Sequence, residues 1–304
     1  MRRSLVALGF AWAFGWPAPA LAQETYRPPR AADGHPDLQG VWATGFLTAL
    51  ERPDDIPDLI VPPEQAPALA AKFLSYTPDV VDPDANFITH FTLAVVRGTY
   101  RSSLLVEPRD GKLPFTPAAL AAVARGQRSS FDDPEERPTV ERCLIGWGQA
   151  PMRPEHGFTP VQIVQTPDAI VIQTEDVGGL RIIHMTGDPP PNAVRSYEGW
   201  SRGRWEGETL VVETTHLRAD DPLREHFDRP IIVGPNSRII ERFTRLSDTE
   251  LLEQFTVEDP TLYTRPWMAE FSLTLTDKPS YEYACHEANY SLTGILTAAR
   301  LGRQ

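Results

Sequence analysis

From position 160 onward, apolar and polar residues alternate with a period of two, the spacing that turns one face of a β-strand to a core and the other to water. The alternation predicts strands at Val161–Gln165, Ala169–Glu175, Leu180–Met185, Thr209–His216, Ser237–Leu246, Leu251–Val257, Ala269–Leu275 and Tyr281–Cys285. Turn-forming clusters separate them: Thr166-Pro167-Asp168, Gly178-Gly179, Gly187 to Pro191, Glu206-Gly207, Ser247-Asp248 and Asp277-Lys278-Pro279. Short links between consecutive strands, with no βαβ alternation, predict an antiparallel meander curled into a barrel. A further strand is expected at Leu38–Trp42, after the turn cluster Asp33-Gly34-His35-Pro36-Asp37. Its Gly40-Val41-Trp42 echoes the G-x-W of lipocalin-like barrels. The fold class predicted is mainly β: an antiparallel lipocalin-like barrel or curled sheet.

Residues 50–140 have another texture. Pro53, Pro57, Pro62 and Pro63 break the chain, and two stretches, Pro63–Tyr76 and Thr116–Arg128, carry helical spacing. Thr116-Pro117 is a helix start, because the hydroxyl caps and proline suits the first helical position. Strands at Phe91–Val96 and Ser102–Val106 are expected between the helices. This region reads as a partly helical insertion in one β-rich domain spanning 23–304.

Residues 1–22 stand apart from that domain. Arg2 and Arg3 precede the apolar run Leu5–Trp16, and Ala20-Leu21-Ala22 fits a small-x-small cleavage site, so a signal peptide and a start at Gln23 are expected. The apolar run is shorter than the ~20 residues a bilayer span needs, and no later segment reads as transmembrane. The expected location is the periplasm, or outside the cell.

Composition narrows the picture. The chain has 304 residues and 30 prolines, about twice the usual share, which disfavours helical bundles. The net charge of -12 becomes -14 once Arg2 and Arg3 leave. Nucleic acid is excluded as a partner on that balance. The two cysteines, Cys143 and Cys285, meet an oxidising compartment after export, and pairing is the favoured state. A catalytic or metal-binding thiol is the competing reading, with no C-x-x-C to support it.

Several segments resemble a large family of exported bacterial proteins without an assigned reaction. They are Asp33 to Trp42, Glu141-Arg142-Cys143, Gln162 to Gln165, Ser201 to Thr215, Glu241-Arg242-Phe243 and Tyr281 to Tyr290. Together they cover most of the mature chain. Trp200 departs from the family pattern, which has Asp before Ser201. The resemblance implies that Cys143 and Cys285 belong to one design, which supports a disulfide, and it implies no reaction.

The candidate chemistry lies on strand faces. His184 shares a face with Leu180 and Ile182, Glu241 with Ile239 and Phe243, and Glu213 with Val211. Ionisable groups on apolar faces of a barrel are expected to point inward, where burial raises a carboxylate pKa and lowers that of histidine. His286 and Glu287 follow Cys285 and precede Asn289 and Tyr290. His184, Glu213, Glu241 and His286 are therefore the catalytic candidates, and Trp200, Trp205, Trp267, Tyr283 and Tyr290 the ligand-stacking ones. Against this stands an ordinary alternative, in which the charges meet Arg181 or Arg242 in ion pairs or face solvent. Gly199-Trp200-Ser201-Arg202-Gly203 matches the G-x-S-x-G elbow of serine hydrolases, but the strand–turn–helix context is missing and a loop is expected. The seven histidines, at 35, 90, 156, 184, 216, 226 and 286, form no H-x-H or H-E-x-x-H, so no metal site is assigned; convergence of His184, His216 and His286 is a weaker alternative. No phosphate loop or dinucleotide fingerprint is present, and no cofactor is expected.

Two functions remain open. One is an exported small-molecule-binding barrel that catalyses proton transfer as a lyase, isomerase or hydratase. The other is a non-catalytic ligand carrier or sensor. Serine hydrolysis at Ser201 is a lesser third.

Overall fold

The computed structural model describes residues 26–75, 92–129, 131–137, 141–144, 146–154, 159–175, 179–218 and 231–302. Residues 1–22, His90, His156 and His226 lie outside them.

Nine strands close a barrel: β1 (Gly40–Thr44), β6 (Thr159–Gln165), β7 (Ala169–Thr174), β8 (Leu180–His184), β9 (Trp200–Glu206), β10 (Thr209–Thr215), β11 (Arg238–Arg245), β12 (Glu250–Glu258) and β13 (Trp267–Thr276). The closing seam is antiparallel, with Trp42 of β1 opposite both Val161 of β6 and Leu275 of β13. A short strand, β5 (Leu105–Glu107), continues along the same edge of β13 beyond β1. Side chains at every second position turn inward, and Ile163, Ile172, Ile183, Val212, Phe243, Phe255 and Phe271 join one buried core. Trp42 is fully buried, its indole N–H donates to the Leu38 carbonyl at 2.9 Å, and the Arg245 guanidinium lies over its ring.

The insertion supplies the rest of the smaller elements. β2 (Ile60–Val61), β3 (Val95–Val96) and β4 (Thr99–Arg101) form a separate small sheet. Helix α1 (Ala66–Ser75) buries Ala66, Leu69, Ala70 and Phe73 against Leu47, Val61 and Leu93, a second core beside the barrel. Helix α2 (Pro117–Ser129) begins as the sequence predicts, with the Thr116 hydroxyl accepting the Ala119 N–H.

Three expectations are corrected. First, the expected barrel forms but is not wholly antiparallel and not specifically lipocalin-like: it has nine strands, and β8 and β9 run parallel, with Ile183 opposite Ser201 and His184 opposite Arg202. Second, the segment around Ser201 is a strand, not a loop. Two glycines and two arginines hide its alternation, in which Ser201 and Gly203 are buried between the less buried Trp200, Arg202 and Arg204. Small residues are required there, since a Cβ on Gly203 would lie 2.4 Å from Met185 Sδ and 2.8 Å from Ile183 Cγ2. Third, Tyr281–Cys285 is not a strand. The segment is irregular and leads into α3 (Cys285–Ala288) and α4 (Ser291–Leu301), held by side-chain bonds in place of a ladder.

Candidate functional site

The barrel interior holds a charged cluster. Arg181 alternates inward on β8, is 2% exposed, and donates to Ser201 Oγ, Thr214 Oγ1 and both oxygens of Glu241. Glu241, on β11, also accepts the backbone N–H of Met152 at 2.8 Å. Met152 belongs to the segment 146–154, which packs into the interior with Ala150 and Met152 in the core. Glu253, on β12, lies diagonally from Glu241 on the same interior face. Both Glu253 oxygens are buried, and no described residue donates to them. Burial pushes the Glu253 carboxyl well above its ordinary range, the Glu241 charge pushes it the same way, and Arg181 pulls it back. For Arg181, burial acts downward, but the charge and hydrogen bonds of Glu241 win and raise it. Arg181 thus faces two buried carboxyl groups and hydrogen-bonds to one of them, Glu241. A buried ion pair survives desolvation only when its remaining hydrogen bonds are met, as those of Arg181 are.

Among the described residues, the space beside the charged cluster is too small for a ligand. The space beside Arg181, bounded by Gly148, Gln149, Leu180 and Glu198, is about 10 Å³, the volume of a single water. Glu198 borders it, and burial raises its carboxyl while Arg181 lowers it.

Among the described residues, two recesses on the outside are large enough. The first, about 630 Å³, lies at the parallel β8–β9 seam and is lined by Asp33, His35, Met185, Arg202, Arg204 and Trp205. Its polar groups are already engaged: Arg202 donates to the Gly187 carbonyl, Arg204 to Glu206, and His35 stacks on Trp205 at 4.9 Å.

The second is a cleft of about 460 Å³ between the outer wall of β6–β8 and the C-terminal segment, lined by Gln162, Gln173, Leu180, Ser280, Tyr281 and Tyr283 among others. Gln162 and Gln173 stand opposite each other on β6 and β7, and no described residue bonds to either amide. The Ser280 hydroxyl is buried without a partner among the described residues. Tyr281 and Tyr283 expose 68% and 56% of their surface. The segment is fixed at two points: the Tyr281 N–H donates to Glu175 at 2.8 Å, and Cys285 is bridged to Cys143, with Cα atoms 5.8 Å apart. Asn289 adds a bond to the Glu141 carbonyl beside the bridge.

The four catalytic candidates do not share a pocket. Only Glu241 points inward. His184 faces outward with Leu180 and Ile182, which are 50% and 45% exposed, and stacks on Trp200 at 5.6 Å. The expectation that His184 points inward is corrected: Arg181 and Ile183 take the interior face, because Glu241 compensates the buried guanidinium. Glu213 likewise faces outward and pairs with Arg238, whose hydrogen bond lowers its pKa against the opposing effect of burial. His286 sits exposed on α3. Among the stacking candidates, Trp267 is a core residue in edge contact with Phe255 and Tyr263, Tyr290 is exposed outside both recesses, Trp205 lines the seam recess and Tyr283 the cleft. Ser201 is buried between Arg181 and Thr214 with no histidine partner, so the elbow reading has no geometric basis. No group of three or more His, Cys, Asp or Glu placed to hold a metal occurs among the described residues, and no described helix is long and apolar enough to cross a membrane.

Glu253, Gln162 and Gln173 were not singled out from the sequence as site residues, whereas Arg181 was named as an alternative ion-pair partner, which it is for Glu241. Gln162 and Gln173 carried a usable signal: the strand register pairs two amides on the polar, outward face.

Comparison of the chain with protein-family models, curated proteins and solved structures finds no match.

Proposed function

We propose that this protein is an exported, periplasmic carrier or sensor, of the bacterial family its motifs resemble, that holds a small molecule in the Gln162–Tyr283 cleft. The observation that carries the reading is the cleft itself: unengaged amide and hydroxyl groups beside exposed tyrosines, on a segment fixed by a disulfide. Preorganisation of that kind lowers the entropy cost of binding. The Cys143–Cys285 bridge supports the oxidising compartment. The catalytic form of the function, a lyase, isomerase or hydratase, needs an acid and a base at one ligand. His184, Glu213, Glu241 and His286 lie on separate surfaces, which favours binding without turnover.

Native mass spectrometry of the protein purified from its periplasm tests this. A stoichiometric small molecule is expected on the wild type and is lost from Tyr283→Ala. Absence of any bound molecule, or its retention in the variant, would overturn the assignment.

A further inference from the structure

The ligand class follows from what the cleft offers, given the reading above that the cleft is the binding site. We infer that the ligand is an uncharged, hydroxyl-rich molecule, a saccharide of one or two rings.

Among the described residues, the lining contains no Lys, Arg or His, and its only charged member is Glu282. Glu175, at the edge, is engaged by the Tyr281 N–H. In a chain of net charge -12, such a cleft repels carboxylates and phosphates, which require cationic partners. Its unengaged groups are neutral. Each glutamine amide offers one acceptor oxygen and two donor hydrogens, and the Ser280 hydroxyl both donates and accepts. Sugar hydroxyls are likewise both donors and acceptors, so neighbouring hydroxyls can pair with both ends of an amide. Tyr281 and Tyr283 supply rings for the apolar C–H face of a pyranose and polar tips for its rim. The volume of about 460 Å³ falls in the range of small-molecule sites.

Two other classes fit less well. An apolar ligand would desolvate Gln162, Gln173 and Ser280 with nothing to replace water, and Leu180 is the only aliphatic wall among the described residues. An ammonium ion could use Glu282 and the tyrosine faces, but it leaves the paired amides without a role.

Titration calorimetry on the mature, disulfide-bonded protein tests the class with three probe sets: neutral mono- and disaccharides, glucuronate, and choline. A neutral sugar is expected to bind, with glucuronate weaker by about tenfold or more. Gln173→Leu and Tyr283→Ala are each expected to weaken the sugar by about tenfold or more, with unchanged melting and circular dichroism. Equal or tighter binding of glucuronate or choline overturns the class and leaves the cleft standing as a ligand site. Sugar binding unaffected by both substitutions overturns the cleft assignment. If no probe binds while native mass spectrometry finds a cleft-dependent ligand, the class alone fails; if neither experiment finds a ligand, both readings fail together.

Discussion

Glu241 and Glu253 face the same side of the barrel interior from adjacent strands, and the Arg181 guanidinium bonds to Glu241 alone of the two. Glu253, buried beside the Glu241 carboxylate, has its pKa raised by burial and by the Glu241 charge.

A raised carboxyl pKa makes stability depend on pH. The folded-state pKa of Glu253 is raised above its ordinary 4.5, so the folded chain holds the proton more tightly than the unfolded one. The stabilising contribution is full below the unfolded value and is lost as pH rises through the folded value, by at most about 1.4 kcal/mol per pH unit. Glu253→Gln keeps a neutral donor beside Glu241 and removes the titration. Urea midpoints from pH 4.5 to 9 should show the variant gaining on the wild type as pH rises. Parallel pH profiles for the two proteins would refute this account.

Arg181→Met leaves Glu241 buried without its cation and is expected to destabilise by about 3–5 kcal/mol. The double variant with Glu241→Gln should lose less than the two single losses added together, which a double-mutant cycle by urea denaturation measures. Additive losses would mean that the two residues are not coupled.

The Cys143–Cys285 bridge joins residues 142 apart in sequence. Replacing both with serine should cost up to about 4–5 kcal/mol by loop-closure entropy. It also frees the segment carrying Ser280 to Tyr283, so ligand affinity should fall even at temperatures where the barrel stays folded. Calorimetry on the serine variant reads the second effect separately from the first.

Gly203→Ala places a methyl group against Met185 and Ile183. The expected loss is about 1–3 kcal/mol, typical of overpacking, and Met185→Ala in the same chain should recover part of it. Thermal denaturation of the single and double variants checks this.

Glu213 is a surface partner of Arg238, with a 2.6 Å contact between side chains that are 34% and 41% exposed. Glu213→Ala should change stability by less than about 1 kcal/mol and leave ligand binding unchanged. A large loss of binding would restore Glu213 to the functional site.

The strand pattern was legible because alternation is local: β6, β7, β8, β10, β11, β12 and β13 all appear within a few residues of where period two places them. The Thr116 cap was equally readable, being a bond between near neighbours. β9 was not, since Ser201 and Gly203 look like loop residues until Arg181 and Met185 are seen filling the space beside them.

The sequence by itself determined a mainly β chain, the positions of most strands and turns, and the two cysteines available for a bridge. Only the tertiary structure decided which face of β8 is inside. Leu180, Ile182 and His184 form the more apolar set, yet Arg181 and Ile183 are buried, because a carboxylate 60 positions away neutralises the guanidinium. The cleft was decided in the same way: Gln162 and Gln173 are ordinary outward residues until the segment tethered at Cys285 comes to lie across them. Both outcomes rest on partners distant in sequence, which meet only when the barrel closes.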